Sequence, residues 1–256
     1  ALAVLADSGY QLSEECRQHE QAYRHVHNHL TMVNGPDRMV EVHWRLAPRH
    51  FAMHLGFDDL WRRRSPLSLG GASLDAPSPT DMLLIVCVHG ALHGWRQLKN
   101  VCDVSELIQR QPMDWPAVWC AAGEAGVLRM VVLGLALSSE LLQAPLPAAV
   151  RERITNDPAL PALYREILPA LLSLRPPHGE GSWRSFAAYY AQLRERQRDR
   201  AEETLRRLFI PTMPEWESYR LPASLSPLAY AVRPVNLLRR SVRARLRRAP
   251  SLPPAR

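Results

Sequence analysis

The spacing of apolar residues changes period along this 256-residue chain, and that change most constrains its fold. Residues 23–32 and 39–46 form two extended runs, and between them lies the turn-favouring sequence Asn-Gly-Pro-Asp at 34–37. They predict an antiparallel hairpin. From Asp75 onward the apolar residues recur with a helical period. The pattern therefore predicts an α+β fold: a hairpin followed by a mostly α-helical region.

A clear helix start signal lies at residues 78–81, where Ser78 suits the N-cap, Pro79 the first helical position and Asp81 the third. Five further helices are predicted, at about residues 98–110, 115–125, 127–142, 159–173 and 182–209. These elements predict three parts: the end of an α/β domain, a helical domain and a Pro- and Arg-rich tail, at residues 1–75, 76–210 and 211–256.

The second predicted strand carries the most informative polar residues. Successive side chains on a strand point to opposite faces, so Glu41, His43 and Arg45 share a face that opposes the apolar residues of the run. An acid held on a strand is a candidate metal ligand or general base. A solvated sheet face is the alternative interpretation.

Three histidines alternate along the first predicted strand. His25, His27 and His29 would line one face of it, and if that face also carries Glu41 and His43, the hairpin presents a His-rich polar surface. Such a surface can bind a transition metal. A solvated sheet face again explains the same residues without a ligand.

Six segments of the chain, taken in order, carry a resemblance. They are 40–46 (Val-Glu-Val-His-Trp-Arg-Leu), 58–61 (Asp-Asp-Leu-Trp), 78–84 (Ser-Pro-Thr-Asp-Met-Leu-Leu), 87–95 (Cys-Val-His-Gly-Ala-Leu-His-Gly-Trp), 98–104 (Leu-Lys-Asn-Val-Cys-Asp-Val) and 114–115 (Asp-Trp). The set resembles the uncharacterised bacterial nucleotidyltransferase family, within the DNA polymerase beta-like nucleotidyltransferase superfamily. The similarity runs from residue 1 to about residue 147, and residues 233–237 look like the family's closing Arg-Pro segment.

The resemblance implies the remnant of a small mixed nucleotidyltransferase sheet. Such proteins hold the triphosphate at a Gly-Ser turn and two magnesium ions on Asp-x-Asp, with a third acid on a neighbouring strand. Glu41 matches that third acid, and His43 is a candidate contact to a phosphate or to the acceptor. The first two elements should precede a helix that here ends at Gly9 and Tyr10. We therefore expect them upstream of residue 1, and we expect this fragment to be inactive by itself.

The intact protein is then expected to transfer a nucleoside monophosphate from a nucleoside triphosphate to an unknown acceptor, with Mg2+ as the cofactor. Two other classes stay open. The chain can be a non-catalytic helical binding or scaffold module, or a metal-dependent hydrolase centred on His89, His93 and Asp103.

His89 and His93 are four residues apart in a predicted helix and so share a face, as ligands in helical zinc sites do. No Glu follows His89 as in His-Glu-x-x-His. The pair, with Asp103, can instead wall a nucleotide or acceptor pocket, where Arg96 and Lys99 would meet phosphate charge. Structural histidines and solvated helix cations are the simpler alternative.

Charge is concentrated at the end of the chain. Residues 233–256 hold eight Arg and no acid, and removing those eight from the 32 basic residues leaves 24 against 25 acidic ones. A nearly neutral body argues against a nucleic-acid-binding face. The Arg-rich end can form a short basic helix at an anionic membrane or nucleic acid, although a disordered tail is expected.

The cysteines and the apolar runs indicate the cellular compartment of the protein. Cys16, Cys87, Cys102 and Cys120 are widely spaced without a C-x-x-C pair, so reduced, buried thiols are expected. The most apolar window, residues 127–142, is shorter than the roughly 20 residues that a bilayer requires. These features predict a cytoplasmic protein.

Overall fold

The computed structural model describes residues 1–172, 183–219 and 228–248. The strands are β1 Gln11–Leu12, β2 His29–Val33, β3 Met39–His43, β4 Ser65–Leu69 and β5 Ala72–Ala76. The helices are α1 Leu2–Asp7, α2 Glu14–Gln18, α3 Glu20–Val26, α4 Phe57–Arg62, α5 Pro79–Leu92, α6 Leu98–Arg110, α7 Trp115–Glu124, α8 Leu128–Leu142, α9 Ala148–Thr155, α10 Leu160–Leu171, α11 Trp183–Gln192, α12 Gln197–Phe209, α13 Met213–Tyr219 and α14 Leu228–Arg248. The predicted α+β class is confirmed. Within the described ranges no helix combines the length and the apolarity needed to cross a bilayer.

The chain divides into two compact units. The first comprises Ala1–Trp44, Pro48–Phe51 and Thr204–Arg256, and the second comprises Arg45–Ala47 and Ala52–Glu203. The first unit is thus assembled from sequence-distant parts of the chain. The boundaries predicted at residues 75 and 210 do not coincide with this division.

The sheet of the first unit has the order β1-β2-β3, and both of its pairings are antiparallel. The predicted hairpin is confirmed, but its strands are shorter than expected. The residues before β2 form α3 rather than a strand, which corrects the predicted run 23–32. Tyr23 and Val26 are both buried, and a spacing of three places them on one helix face, whereas an extended chain would point them to opposite sides.

The core of the first unit forms around the completely buried Leu30, and the buried side chains of Cys16 and Tyr23 belong to the same cluster. Four partly buried apolar side chains pack against this cluster: Leu2, Leu12, Trp44 and Met213. Met213 begins α13, so a segment far along the chain completes the core beneath the sheet.

The acidic residue Glu215 of α13 is fully buried and anchors α14. Its carboxylate accepts hydrogen bonds from the backbone and hydroxyl of Thr212 and from Arg233, at 2.8–3.1 Å. Burial raises the pKa of Glu215, but these hydrogen bonds and the Arg233 charge outweigh it and lower the pKa. The segment that resembles a closing Arg-Pro motif is therefore part of a buried ion pair.

The expectation of a disordered tail is wrong for residues 228–248, which form α14 with Pro234 inside it. The last eight residues, 249–256, lie outside the described part of the chain. Contact of the Arg-rich end with an anionic surface stays a prediction.

Helix α5 of the second unit begins as predicted, because the Ser78 hydroxyl accepts a hydrogen bond from the Asp81 amide. After α5 the chain turns back so that Trp95, with a left-handed φ of 53°, lies fully buried. A Cβ at Gly90 would lie 2.5 Å from the Trp95 ring, and one at Gly134 would lie 2.6 Å from Cys87 Sγ. The glycines thus form a slot for the indole ring.

Most of the predicted helices are confirmed, α6 to the residue. The predicted helix 182–209 is instead interrupted, and α11 and α12 flank the break. The break places the buried Arg194 so that its guanidinium donates to Glu203, at 2.8 Å, and to the carbonyl of Gly126. Several elements were not predicted from the sequence: the helices α2, α4, α9 and α13 and the strands β1, β4 and β5.

Candidate metal-binding site on the hairpin

Three side chains converge on one face of the β2–β3 pair. His29 on β2 lies directly opposite His43 on β3, and Glu41 is two residues before His43 and so shares its face. The Glu41 carboxylate lies 3.1 Å from His43 Nε2 and 3.7 Å from His29 Nε2. The two imidazole rings are 4.8 Å apart between centroids. Strand pairing thus joins one acid to two histidines.

The two histidines of the site differ in how far they are buried. Burial lowers the pKa of His29 below 6.5 against the opposing charge of Glu41, and His43 lowers it further, so His29 is neutral near pH 7. Its Nδ1 is buried without a hydrogen-bond partner in the described residues. The ring of His43 is more exposed and is held by the amide of the buried Asn28, 3.3 Å from Nδ1.

The prediction that three histidines line one face of the first strand is wrong, since only His29 lies on a strand. His25 is in α3 and stacks on Trp216, with ring centroids 4.7 Å apart. His27 follows α3 and stacks on Tyr23 at 4.0 Å. Burial, and then the neighbouring His29, lower the pKa of His27. Neither residue belongs to the group formed by His29, Glu41 and His43.

His29, Glu41 and His43 each offer one potential metal ligand, and the three ligand atoms lie within 4.8 Å of one another. Within the described part of the chain they are the one group of at least three such residues. Two imidazole nitrogens with one carboxylate suit zinc and related ions, whereas magnesium favours oxygen ligands alone. Of this set, a magnesium ion would use only Glu41.

The second predicted set lies in the second unit, and all five of its side chains are exposed. His89 is in the last turn of α5 and His93 caps it, with ring centroids 4.5 Å apart, so the predicted common face is confirmed. Arg96 lies between α5 and α6, and Lys99 and Asp103 lie on α6. Among the described residues, Asp103 does not join the histidines in a ligand group. Their role at a nucleotide or acceptor stays a prediction.

The cysteines offer no third ligand set within the described residues. All four are free thiols, and Cys16 and Cys87 are buried as expected, with burial raising the pKa of Cys87. The expectation of burial is wrong for Cys120, which is exposed, and Cys102 is intermediate.

The second unit contains a cavity of about 470 Å³ that had no signal in the sequence. Arg129 lines it and is paired with Asp157 at 2.8 Å. Glu195 also lines it, and burial raises the pKa of this acid although Arg129 lowers it. The Arg129 guanidinium is additionally held by the carbonyls of residues 192 and 194, which makes it a structural group.

Comparison with known proteins defines the class. Residues 1–143 match the family described as uncharacterised nucleotidyltransferase, a span that includes the whole hairpin site and α5. The fold and this match indicate a protein of the nucleotidyltransferase kind. Because the match covers more than half of the chain, the protein belongs to the uncharacterised nucleotidyltransferase family. No curated protein and no solved structure matches it.

Proposed function

We propose that the protein serves in nucleotidyl transfer, moving a nucleoside monophosphate from a nucleoside triphosphate to an acceptor with Mg2+. The observation that carries the proposal is the position of Glu41. It lies inside the segment that matches the family, on the open face of a paired strand, and it has His43 Nε2 as a neighbour at 3.1 Å.

The carboxylate of Glu41 suits the role of the third acid. Magnesium in such sites takes one or two protein carboxylates and completes its shell with phosphate oxygens and water. The ion would neutralise the triphosphate and activate the acceptor hydroxyl. Two-metal transfer requires more carboxylates than Glu41 provides, so the proposal includes the Asp-x-Asp element that the resemblance implies.

His43 has a separate role in the proposal. Its imidazole lies beside Glu41 at the same open face and is 36% exposed, so it can donate a hydrogen bond to a phosphate or to the acceptor. The Asn28 amide holds the ring in place. Acceptor and nucleotide would therefore meet at the face that β2 and β3 share.

Equilibrium binding of nucleoside triphosphates to the intact protein, which carries the Asp-x-Asp element together with these 256 residues, tests the proposal, with and without Mg2+. Binding is expected to require magnesium, and Glu41→Gln is expected to weaken it by at least about tenfold, because an uncharged amide replaces a charged ligand. The matched control is Glu14→Gln, which changes an exposed acid on α2 that is not part of the group formed by His29, Glu41 and His43.

Binding that is independent of magnesium, or equal in the Glu41→Gln and Glu14→Gln variants, would contradict the proposal. The absence of any triphosphate binding would favour the helical scaffold alternative. Release of pyrophosphate from the triphosphate, measured in the same samples, separates transfer from binding alone.

A further inference from the structure

We propose that His29, Glu41 and His43 form a site for a first-row transition-metal ion of the zinc type, with its fourth position open. This inference does not rest on nucleotidyl transfer, since it concerns binding of the metal alone.

The spacing is close to that of a bound ion. Tetrahedral zinc with bonds of about 2.0–2.1 Å places neighbouring ligand atoms about 3.3 Å apart. The Glu41 oxygens lie 3.1 Å from His43 Nε2 and 3.7 Å from His29 Nε2, on either side of that value. All ligand atoms lie within 4.8 Å of one another, so small side-chain rotations suffice to close the set.

The backbone holds this spacing. His29 pairs with His43, and Thr31 pairs with Glu41, within five consecutive residue pairs of β2 and β3. Ligands on rigid paired strands need little ordering when the metal binds, and this favours affinity. Beneath the face, the completely buried Leu30 fixes β2 in the core.

The ligand types select the ion. Imidazole nitrogen is a ligand for zinc, copper, nickel and iron, and magnesium prefers carboxylate, carbonyl and water oxygen. Two histidines and one glutamate with an open position are also the composition of known catalytic zinc sites. The mixed set therefore discriminates against magnesium, although Glu41 alone does not.

Asn28 supports the site as an outer-shell residue. Its side-chain nitrogen lies 3.3 Å from His43 Nδ1, an arrangement that leaves the His43 proton on Nε2, facing Glu41. When a metal takes Nε2, the proton moves to Nδ1, and rotation of the amide presents its oxygen there as acceptor. The buried Asn28 can therefore hold the ring in both states.

The fourth position is accessible. The side chains of Glu41 and His43 are 40% and 36% exposed. An ion at this face would keep a position for water or for a phosphate oxygen, as catalytic rather than structural zinc does. The site would thus polarise a bound phosphate or hydroxyl at the face where nucleotide is proposed to bind.

Zinc chloride titration of metal-free, untagged protein against a chromogenic chelator tests the inference. One equivalent is expected to bind to the hairpin. His29→Ala, Glu41→Gln and His43→Ala are each expected to lower zinc affinity by at least about 100-fold, and Asn28→Ala by about 10–100-fold as an outer-shell change. The matched control is His25→Ala, a histidine nearby on α3 but outside the cluster, which should bind zinc like the parent protein.

The free thiols require a second measurement. X-ray absorption of the zinc-loaded protein is expected to show only nitrogen and oxygen ligands at about 2.0–2.1 Å, and sulfur at about 2.3 Å would identify cysteine binding instead. Circular dichroism of each variant establishes that it is folded. Glu41→Gln changes an exposed side chain, so it keeps the test valid if a histidine variant unfolds.

Zinc affinity that is equal in the parent and the Glu41→Gln variant, sulfur ligation, or displacement of zinc by equimolar magnesium would overturn the inference. His29→Ala separates it from the proposed function, because His29 has no role in magnesium–triphosphate binding. Loss of zinc with retention of nucleotide binding in that variant supports both proposals. Retention of zinc without any nucleotide binding in the intact protein that carries the Asp-x-Asp element supports this site and rejects the transfer function.

Discussion

The two histidine pairs of this protein have similar ring separations but different surroundings. The pair on the hairpin, His29 and His43, lies 4.8 Å apart with Glu41 between its nitrogens. The pair on α5, His89 and His93, lies 4.5 Å apart, and no third ligand joins it among the described residues. Only the hairpin pair meets the minimum ligand count of a metal site.

The difference shows what each kind of secondary structure supplies. A helix places residues four apart on one face, so the α5 pair is visible in the sequence as a spacing. Paired strands bring together residues that are distant in sequence and place alternate side chains of both strands on one face. Local alternation on β3 places Glu41 beside His43, whereas His29 joins them only through the pairing of β2 with β3.

The largest effect is expected from the tryptophan that follows α5. Trp95 is fully buried between Gly90 and Gly134, so Trp95→Ala should lower the free energy of unfolding by about 3–5 kcal/mol. Urea unfolding measures it. The matched control, Trp61→Ala, removes a ring that is 59% exposed and should cost about 1 kcal/mol or less. Equal unfolding costs for the two variants would mean that Trp95, in the segment 87–95 that carries the family resemblance, does not stabilise the fold. A functional role for α5, which precedes Trp95, would then return to consideration.

An effect of intermediate size is expected from His50, a histidine outside both pairs, on the pH dependence of the unfolding free energy. His50 of the first unit has a buried Nδ1 without a hydrogen-bond partner in the described residues, and burial, then Arg207 and Arg233, lower its pKa to about 3. The unfolded chain takes up a proton near pH 6.5 and the folded protein only near pH 3. The unfolding free energy should therefore fall as pH drops through this window, by up to about 1.4 kcal/mol per unit.

The variant His50→Leu should remove that slope, so its unfolding free energy relative to the parent should rise from pH 6.5 toward pH 4. Chemical denaturation at several pH values measures the difference. His93→Gln, at an exposed histidine, is the control and should keep the parental slope. A difference between His50→Leu and the parent that does not vary with pH would show that His50 titrates in the folded protein as it does in the unfolded chain.

The smallest effect is expected on α5 itself. Because His89 and His93 are exposed and gain no third ligand from the described residues, the double variant His89→Ala/His93→Ala should change zinc affinity by no more than about twofold. Its unfolding free energy should stay within about 0.5 kcal/mol of the parent. Loss of zinc in this variant, with retention in Glu41→Gln, would reverse the comparison of the two pairs.

Local chemistry explains which elements the sequence predicts correctly. The Ser78 cap of α5 and the turn at 34–37 depend on neighbouring residues only, so their residue types suffice. Helix α3 depends on the burial of both Tyr23 and Val26, and a run so short fits either period. The strands β4 and β5 were missed because Leu67, Leu69 and Leu74 are exposed, so their alternation marks no core face.

The candidate site was predictable only where it depends on residues that are close in sequence. Glu41 and His43 share a strand, so their common face follows from alternation alone. The participation of His29 depends on the exact register of the hairpin, and the exclusion of His25 and His27 depends on where α3 ends. Asn28 could not be predicted, since its contact with His43 is made across the two strands and is fixed by packing.

The first unit combines segments from both ends of this sequence, and this affects the order in which it can fold during synthesis. Ribosomes make a chain from its N-terminal side at about 5–20 residues per second, so the hairpin emerges on the order of ten seconds before α13. During that interval Leu30 lacks Met213, and His25 lacks Trp216. The second unit, which is nearly contiguous, is available to fold meanwhile. The sheet that carries Glu41 is thus made before the second unit and completed after it.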